Sequence, residues 1–461
     1  MHHILRLIEG IVDTAFFFVE KFFEALFTWI FPNGLPKKKQ GYGASFGSPK
    51  SLLKRNLKGF CLTGEKSLSV EDSYKNSLLI GSTGSGKSSV VFVPSLLRMN
   101  ASYICHDPSG ELAQLTTPAL KRRGYIIKTL NFADPKHSDR FNPLYRARSS
   151  SDINKVSSLV IRTALGGVKG DPFWNLQATA LLTLLITLVK AEVRERQTFR
   201  QVRHYLNQLS GDEAFFTRKV EASDNLSLRA EFKTFQAYDN KVKAGIIATV
   251  SSALHIFTDE AVAEVTNHDT IALHEFRLKK TVLFIQNPVT DQAYYAMLSS
   301  LFFEQLFGEL LVRMPQPWHQ DVFCLIDEAG VLYLPSLGNV ISNVRKYRAG
   351  ILLGIQQMSQ LVHNFGPYEA STIAGNCFAK LYFTGQSGRS SEELEQRLGR
   401  YQYEDNQGRT QTRPLITRDE VRTMKQNQGL LMAGNYPPML LNLKPYYQQR
   451  GLLALTQLSN T

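Results

Sequence analysis

Residues 81 to 88 read GSTGSGKS, in the spacing G-x-x-x-x-G-K-S. These residue types suit the holding of a polyphosphate. Gly81, Gly84 and Gly86 let the backbone turn its N–H groups inward without a Cβ clash. Together with the N–H groups of Ser82, Thr83 and Ser85, and with Ser89 in the first turn of the helix that follows, they form an anion cradle. Lys87 would reach the β- and γ-phosphates, and Ser88 would ligate Mg²⁺. The flanks are what the motif requires: SLLI at 77–80 reads as a short apolar strand, and 89–97 as a mostly apolar helix. No N-K-x-D guanine-recognition run is visible, so the implied nucleotide is ATP.

The chemistry also needs carboxylates. VFCLI at 322–326 is a buried-strand pattern that ends in Asp327 and Glu328. Asp327 would order the Mg²⁺ shell, and Glu328 would polarise the attacking water as general base or orienter. On an extended strand the two side chains point to opposite sides, which suits two roles. SYICH at 102–106 ends at Asp107, which would hold a water on Mg²⁺ or simply cap the helix from Glu111. AGILLGI at 349–355 ends in Gln356 and Gln357. Gln356 would sense the γ-phosphate, or be a plain polar strand end. Just before that strand lie Arg345, Lys346 and Arg348. An arginine reaching a neighbouring subunit's nucleotide explains this cluster, and so does a solvated basic turn. Spacing does not choose between Arg345 and Arg348.

The chain that must position these residues has 461 of them, 43 % apolar, enough for two to four domains or one large domain with an insertion. Fifty-three Lys and Arg against 40 Asp and Glu leave a formal charge of +13, which favours polyanions, whether nucleic acid or anionic lipid. Cys61, Cys105, Cys324 and Cys377 form no close pair, which excludes a zinc knuckle or a disulfide scaffold. Residues 4–31 are apolar with a recurrent charged stripe. The spacing predicts an amphipathic helix that lies on a membrane or docks on a partner, ended by Pro32 to Pro36. Leu176–Val189, Phe199–Leu209, Leu226–Ala237 and Val242–Leu254 read as helices, the first a buried core helix. The expected division is 1–36 amphipathic helix, 37–70 linker and basic entry, 71–155 first part of the nucleotide-binding domain, 156–270 all-helical insertion, and 271–461 second part.

The motifs, in order, resemble the type IV secretion coupling proteins, the TraG-like ATPases of conjugation and effector export. The signals are GSTGSGKS (81–88), DPSGEL (107–112), FNPL (141–144), DPFW (171–174), LIDEAG (325–330) and GIQQMSQL (354–361). The resemblance implies an α/β, RecA-like P-loop domain with an all-helical insertion. It implies a hexameric ring on the cytoplasmic face of the bacterial inner membrane, using ATP and Mg²⁺. Such a ring hands relaxase-bound DNA or protein effectors to inner-membrane secretion components. By the match, Lys87, Ser88, Asp327, Glu328 and Gln356 carry over as nucleotide-site residues, and an arginine finger carries over only to the region 345–348. Two features depart from the pattern. Pro108 or Ser109 stands where a lysine is usual, and the amino-terminal segment is short and charged where two membrane spans are typical, so either a peripheral attachment or reliance on another membrane subunit is expected. A substrate-docking platform with partner-dependent ATPase and a segregation-type DNA pump remain the alternatives. A small-molecule kinase fits less well with Glu328 and the late glutamine strand.

Overall fold

A computed structural model describes residues 43–164, 172–386, 388–405 and 407–459. The expected helix at 4–31 and Asp171 of the DPFW run lie outside them. The chain divides into two compact units, Phe46–Leu394 with Thr417–Thr461, and Met1–Ser45 with Glu395–Ile416.

The larger unit is built on one nine-stranded sheet. Its strands are β1 (Ser77–Ile80), β2 (Ser102–His106), β3 (Ile126–Asn131), β4 (Thr281–Gln286), β5 (Val322–Ile326), β6 (Ala349–Ile355), β7 (Ala379–Phe383), β10 (Gln428–Ala433) and β11 (Met439–Asn442). Their order is β11-β10-β7-β1-β6-β5-β2-β4-β3. From β7 to β3 every neighbouring pair is parallel, and β10 and β11 add antiparallel at one edge. Every residue of β1, β2, β5 and β6 is buried. Helices cover both faces of such a sheet, which is why these strands read as unbroken apolar runs. The fold is α/β, as the sequence implied. In the smaller unit β8 (Arg400–Glu404) and β9 (Thr410–Pro414) form an antiparallel hairpin, bridged at Tyr401 by Gly43. A Cβ at Gly43 would lie 2.6 Å from the Tyr401 Cα, so that approach requires glycine.

The strand order decides what meets at the carboxyl edge of the sheet. β6 lies between β1 and β5, and β2 is the next strand beyond β5. The residues after β1, β6, β5 and β2 are Gly81, Gln356, Asp327 and Asp107. Parallel pairing therefore gathers them at one end, where ligands of open α/β sheets bind.

Between β3 and β4 the described chain is helical: α3 (Ser150–Ala164), α4 (Pro172–Lys190), α5 (Phe199–Gly211), α6 (Glu213–Glu221), α7 (Leu226–Gln236), α8 (Asn240–Ala253) and α9 (Glu260–Val265). They follow α1, which opens as Lys87–Phe92 and continues as Val93–Arg98, and α2 (Glu111–Arg122). Short polar residues start five of them. Thr198, Asp212, Asn225, Asp239 and Asp259 each accept a hydrogen bond from a first-turn N–H, satisfying donors that have no partner within the helix. Helix α4 is long and apolar enough to cross a membrane. Its Leu181, Leu182, Leu184, Leu185, Ile186, Leu188 and Val189 are nevertheless buried, against α3, α5, α7 and α8. The four cysteines are buried free thiols.

One buried asparagine fixes the start of the strand that carries the phosphate loop. Asn76 is left-handed (φ 65°) and almost fully buried. Its Nδ2 donates to the Ile341 carbonyl at 2.9 Å, and its Oδ1 accepts from Ile351 N of β6 at 2.9 Å. Asn76→Ala removes both bonds and keeps a Cβ in the left-handed region, whereas Asn76→Gly removes the bonds and the Cβ penalty together. In urea denaturation the alanine variant is expected to be less stable than the glycine variant by about 1 kcal/mol. Equal stabilities would show that the backbone conformation is not held there.

Candidate nucleotide site

The phosphate loop is shaped by close approach as well as by positive φ. Gly84 and Gly86 have φ of 77° and 99°. A Cβ on Gly81 would lie 2.5 Å from Ser85 Oγ and 2.8 Å from Phe383 Cβ. Gly81 N donates to Ile355 O of β6 at 3.1 Å, which binds the mouth of the loop to the strand that ends at Gln356. The buried Gln386, which sequence reasoning missed, donates Nε2 to the carbonyls of Ile80 (3.0 Å) and Phe383 (2.7 Å). It fixes the last carbonyl before the loop. Lys87 is buried, and its ammonium donates to Gly81 O at 2.7 Å and Ser82 O at 3.4 Å. That places a cation over the cradle.

The two halves of the site meet in one hydrogen bond. Ser88 Oγ donates to Asp327 Oδ2 at 3.0 Å. The other carboxylate oxygen, Oδ1, accepts from Glu328 N at 3.1 Å. Burial raises the Asp327 pKa above the ordinary value and Glu328 raises it further, while the Lys87 ammonium and the Ser88 bond act the other way. A carboxylate so placed gains from a nearby cation. Beneath it His106 donates from Nδ1 to the Asp327 carbonyl at 2.7 Å, and burial depresses its pKa to about 4, so the ring is neutral near pH 7.

Glu328 does not continue the strand. β5 ends at Ile326, and Glu328 is left-handed (φ 56°, ψ 45°). The expected extended alternation of Asp327 and Glu328 is therefore replaced by a turn. Gln356 reaches Glu328 across the strand ends, its Nε2 donating to Oε2 at 3.1 Å. Helix α12 (Met358–Gly375), which follows α10 (Gln292–Leu310) and α11 (Leu337–Asn343), then supplies two further amides at helical spacing. Gln360 Oε1 accepts from Gln356 N at 2.8 Å. Asn364 Nδ2 donates to Gly330 O at 2.6 Å and Leu332 O at 3.3 Å. Gln356, Gln360 and Asn364 thus hold the turn that aims Glu328. The four-residue spacing of three amides was visible in the sequence, although nothing there said what they faced.

Two candidate roles are corrected by the geometry. Asp107 accepts from Leu112 N at 3.1 Å and Ala113 N at 2.8 Å, so both oxygens serve as a cap for α2, the second of the two roles its position allowed. Burial pushes its pKa up to about 6. Arg348 sits at the opposite edge of the sheet, before β6. Its Nε donates to Asp321 Oδ1 at 2.9 Å, Nη1 to the carbonyls of Gln316 (2.9 Å) and Pro317 (3.2 Å), and Nη2 to that of His319 at 2.9 Å. A guanidinium tied to so many partners is a structural clamp and not a free finger. Arg345, three residues earlier, is exposed.

A Cβ on Gly330 would lie 2.6 Å from Gln360 Cδ. Gly330→Ala is expected to lower stability by about 1–3 kcal/mol by overpacking. Adding Gln360→Ala should recover most of that loss, a coupling of about 1 kcal/mol or more in a thermal double-mutant cycle. Additive losses would contradict the contact.

Among the described residues no group of three or more His, Cys, Asp or Glu side chains is arranged to hold a metal alone. The hard oxygens on offer are Ser88 Oγ and Asp327, which fits a cation that arrives with phosphate oxygens of its own. The family model for type IV secretory system conjugative DNA transfer matches residues 37–459. Protein VirD4 of Agrobacterium fabrum is 22% identical over 406 residues, covering 82% of this chain and 60% of that protein. A probable conjugal transfer protein TraG of Sinorhizobium fredii is 24% identical over 392 residues, covering 78% of this chain and 60% of that one. The chain thus spans about 60% of the length of the curated relatives it matches. Among solved structures, the plasmid coupling protein TrwB in complex with a non-hydrolysable ATP analogue superposes with a TM-score of 0.69 at 19% identity. That match covers 89% of this chain and 96% of TrwB. VirB4 of Thermoanaerobacter pseudethanolicus follows with a TM-score of 0.55 at 13% identity, covering 85% and 97%. On the family match across nearly its whole length, the chain belongs to the type IV secretory system conjugative DNA transfer family.

Proposed function

We propose that the chain is an ATP-hydrolysing coupling protein that moves DNA, with or without a bound relaxase, or protein substrates, into a type IV secretion channel. The observation that carries this is the Ser88–Asp327 bond at 3.0 Å, with Glu328 held beside it by Gln356. TrwB, whose fold this chain shares, has been solved with ADP and Mg²⁺ and with nucleotide analogues. Residues 81–89 would hold the phosphates, Lys87 would neutralise their charge, and Ser88 with Asp327 would hold Mg²⁺, which would supply further charge neutralisation there. The Glu328 carboxylate orients the attacking water and accepts its proton. Gln356 keeps that carboxylate aimed, and its bond reports changes there to α12.

A second route leads from the acid to the helical segment. Tyr333 N donates to Ser300 Oγ (3.2 Å) and Ser336 N to Glu304 Oε1 (3.0 Å), both on α10. Arg162 of α3 donates to Tyr333 Oη at 3.3 Å. Movement of the turn after Glu328 therefore pulls on α10 and, through Arg162 of α3, on the proposed insertion at 156–270, between domain parts 71–155 and 271–461. Assembly as a head-to-tail ring, a hexamer, would give the exposed Arg345 its use. It lines a groove of about 420 Å³ with Lys75 and Lys380 at the sheet edge opposite the phosphate loop, where a head-to-tail neighbour would bring its nucleotide. In this reading the protein works at the cytoplasmic face of a bacterial inner membrane, beside secretion components.

The test is ATP turnover with and without single- and double-stranded DNA. Lys87→Ala and Glu328→Gln are each expected to lower kcat by about 10²-fold or more, and Glu328→Gln to keep nucleotide affinity. DNA stimulation in the wild type supports the DNA motor. Turnover indifferent to DNA but raised by a protein substrate would favour the docking platform.

A further inference from the structure

Four large apolar side chains that are more than half exposed lie on two segments joined by hydrogen bonds. Trp318, Val312, Met314 and Leu278 are 73, 71, 57 and 56 % exposed. Three lie on the connection between α10 and β5. Leu278 ends the helical turn Glu275–Leu278 that precedes β4. Both segments lead into the amino-terminal ends of their strands, at the sheet edge opposite the phosphate loop.

The two segments form one rigid platform. Gln320 N donates to Arg277 O at 2.7 Å, and Arg277 Nη1 returns a bond to Gln320 O at 3.1 Å. Arg277 also donates to the carbonyls of Tyr347 (2.6 Å) and Arg348 (3.0 Å). Arg348 in turn clamps the carbonyls of Gln316, Pro317 and His319. Two guanidiniums thus hold the loop that lifts Trp318 into solvent. A loop ordered in advance loses little freedom when it docks.

The charge on these two segments is predominantly basic. The runs LVRMPQPWHQ at 311–320 and RLKK at 277–280 contain no acid, and Lys279 and Arg313 are exposed. The bordering acids are Glu275, Glu309 and Asp321, and Asp321 is paired with Arg348 at 2.8 Å. Exposed apolar side chains on a loop and a helix end, with a tryptophan and interleaved cations, match the chemistry of an anionic bilayer surface. A peptide or protein segment would be better served by a groove. We propose that this face lies on an anionic lipid bilayer. Trp318, Val312, Met314 and Leu278 enter the headgroup region, and Lys279, Lys280 and Arg313 meet lipid phosphates. The surface needs neither nucleotide nor the segment at 4–31, so it stands apart from the nucleotide reading.

The chain has three tryptophans, Trp29, Trp174 and Trp318. Trp29→Phe with Trp174→Phe leaves Trp318 as the sole emitter in the full chain. Mixed with vesicles of phosphatidylglycerol and bromine-labelled phosphatidylcholine, its fluorescence is expected to shift to the blue and fall by about half. Vesicles of labelled phosphatidylcholine alone should leave it unchanged, as should Lys279→Glu with Arg313→Glu on the anionic vesicles. In the otherwise native chain Trp318→Phe should remove the same bromine-sensitive component, so the result does not hinge on how Trp174→Phe packs. Three outcomes overturn the proposal: Trp318 emission unchanged on anionic vesicles that sediment the protein, quenching of equal size on the neutral vesicles, or a blue shift without vesicles that grows with protein concentration, which would mean a second copy covers this face.

Discussion

One hydrogen bond, from Ser88 Oγ to Asp327 Oδ2, joins residues 239 positions apart. It forms only if β1 and β5 lie on either side of β6 and all three run the same way. The buried apolar strands secure that order, since a parallel sheet covered on both faces is held by burial along each strand. Asn76 ties β1 to β6 at the amino edge, and the Gly81 N–H does so at the carboxyl edge. Between these ties the phosphate loop has little freedom to drift from the acid. The site is therefore a property of the whole sheet and not of the loop.

A second constraint acts on Glu328. A non-glycine residue in the left-handed region costs about 1–2 kcal/mol and persists only where its surroundings hold it. Here they do so through Asp327 Oδ1, the Gln356 amide and the Asn364 clamp on the two carbonyls just beyond. The turn takes the acid off the strand line and places it where one helix, α12, can follow its state. At the far end of the same sheet Arg348 does comparable work for a different surface. It holds a loop in place, which explains why a basic cluster before β6 contains one committed arginine and one exposed one.

Much of this was readable from residue types. The phosphate loop, the apolar strands that end in Asp327 and Gln356, and the helix caps are local signals, and the structure places them as local signals require. Thr417 and Glu420 also form a reciprocal capping box, a signal of the same local kind. What escaped was non-local. Asp107 reads equally as a metal-shell acid or a cap until the N–H groups of Leu112 and Ala113 are seen pointing at it. Arg345 and Arg348 are equivalent in a sequence, and only the carbonyls around Arg348 separate them. Gln386 and Asn364 look like ordinary loop and helix amides because their partners lie on other elements. β3 and β11 went unread because at the two edges of the sheet their exposed positions dilute the apolar pattern, and β10, inside the sheet, offers only a short apolar run.

The claim on which the rest stands is that Ser88 and Asp327 act as one cation-binding unit. It is tested by Mg²⁺-dependent nucleotide affinity in Ser88→Ala, Asp327→Ala and the double variant. Each single substitution is expected to abolish most of the Mg²⁺ dependence, and the double to lose little more, because residues that share one ligand are not additive. Fully additive losses, or Mg²⁺ dependence retained in either single variant, would contradict it.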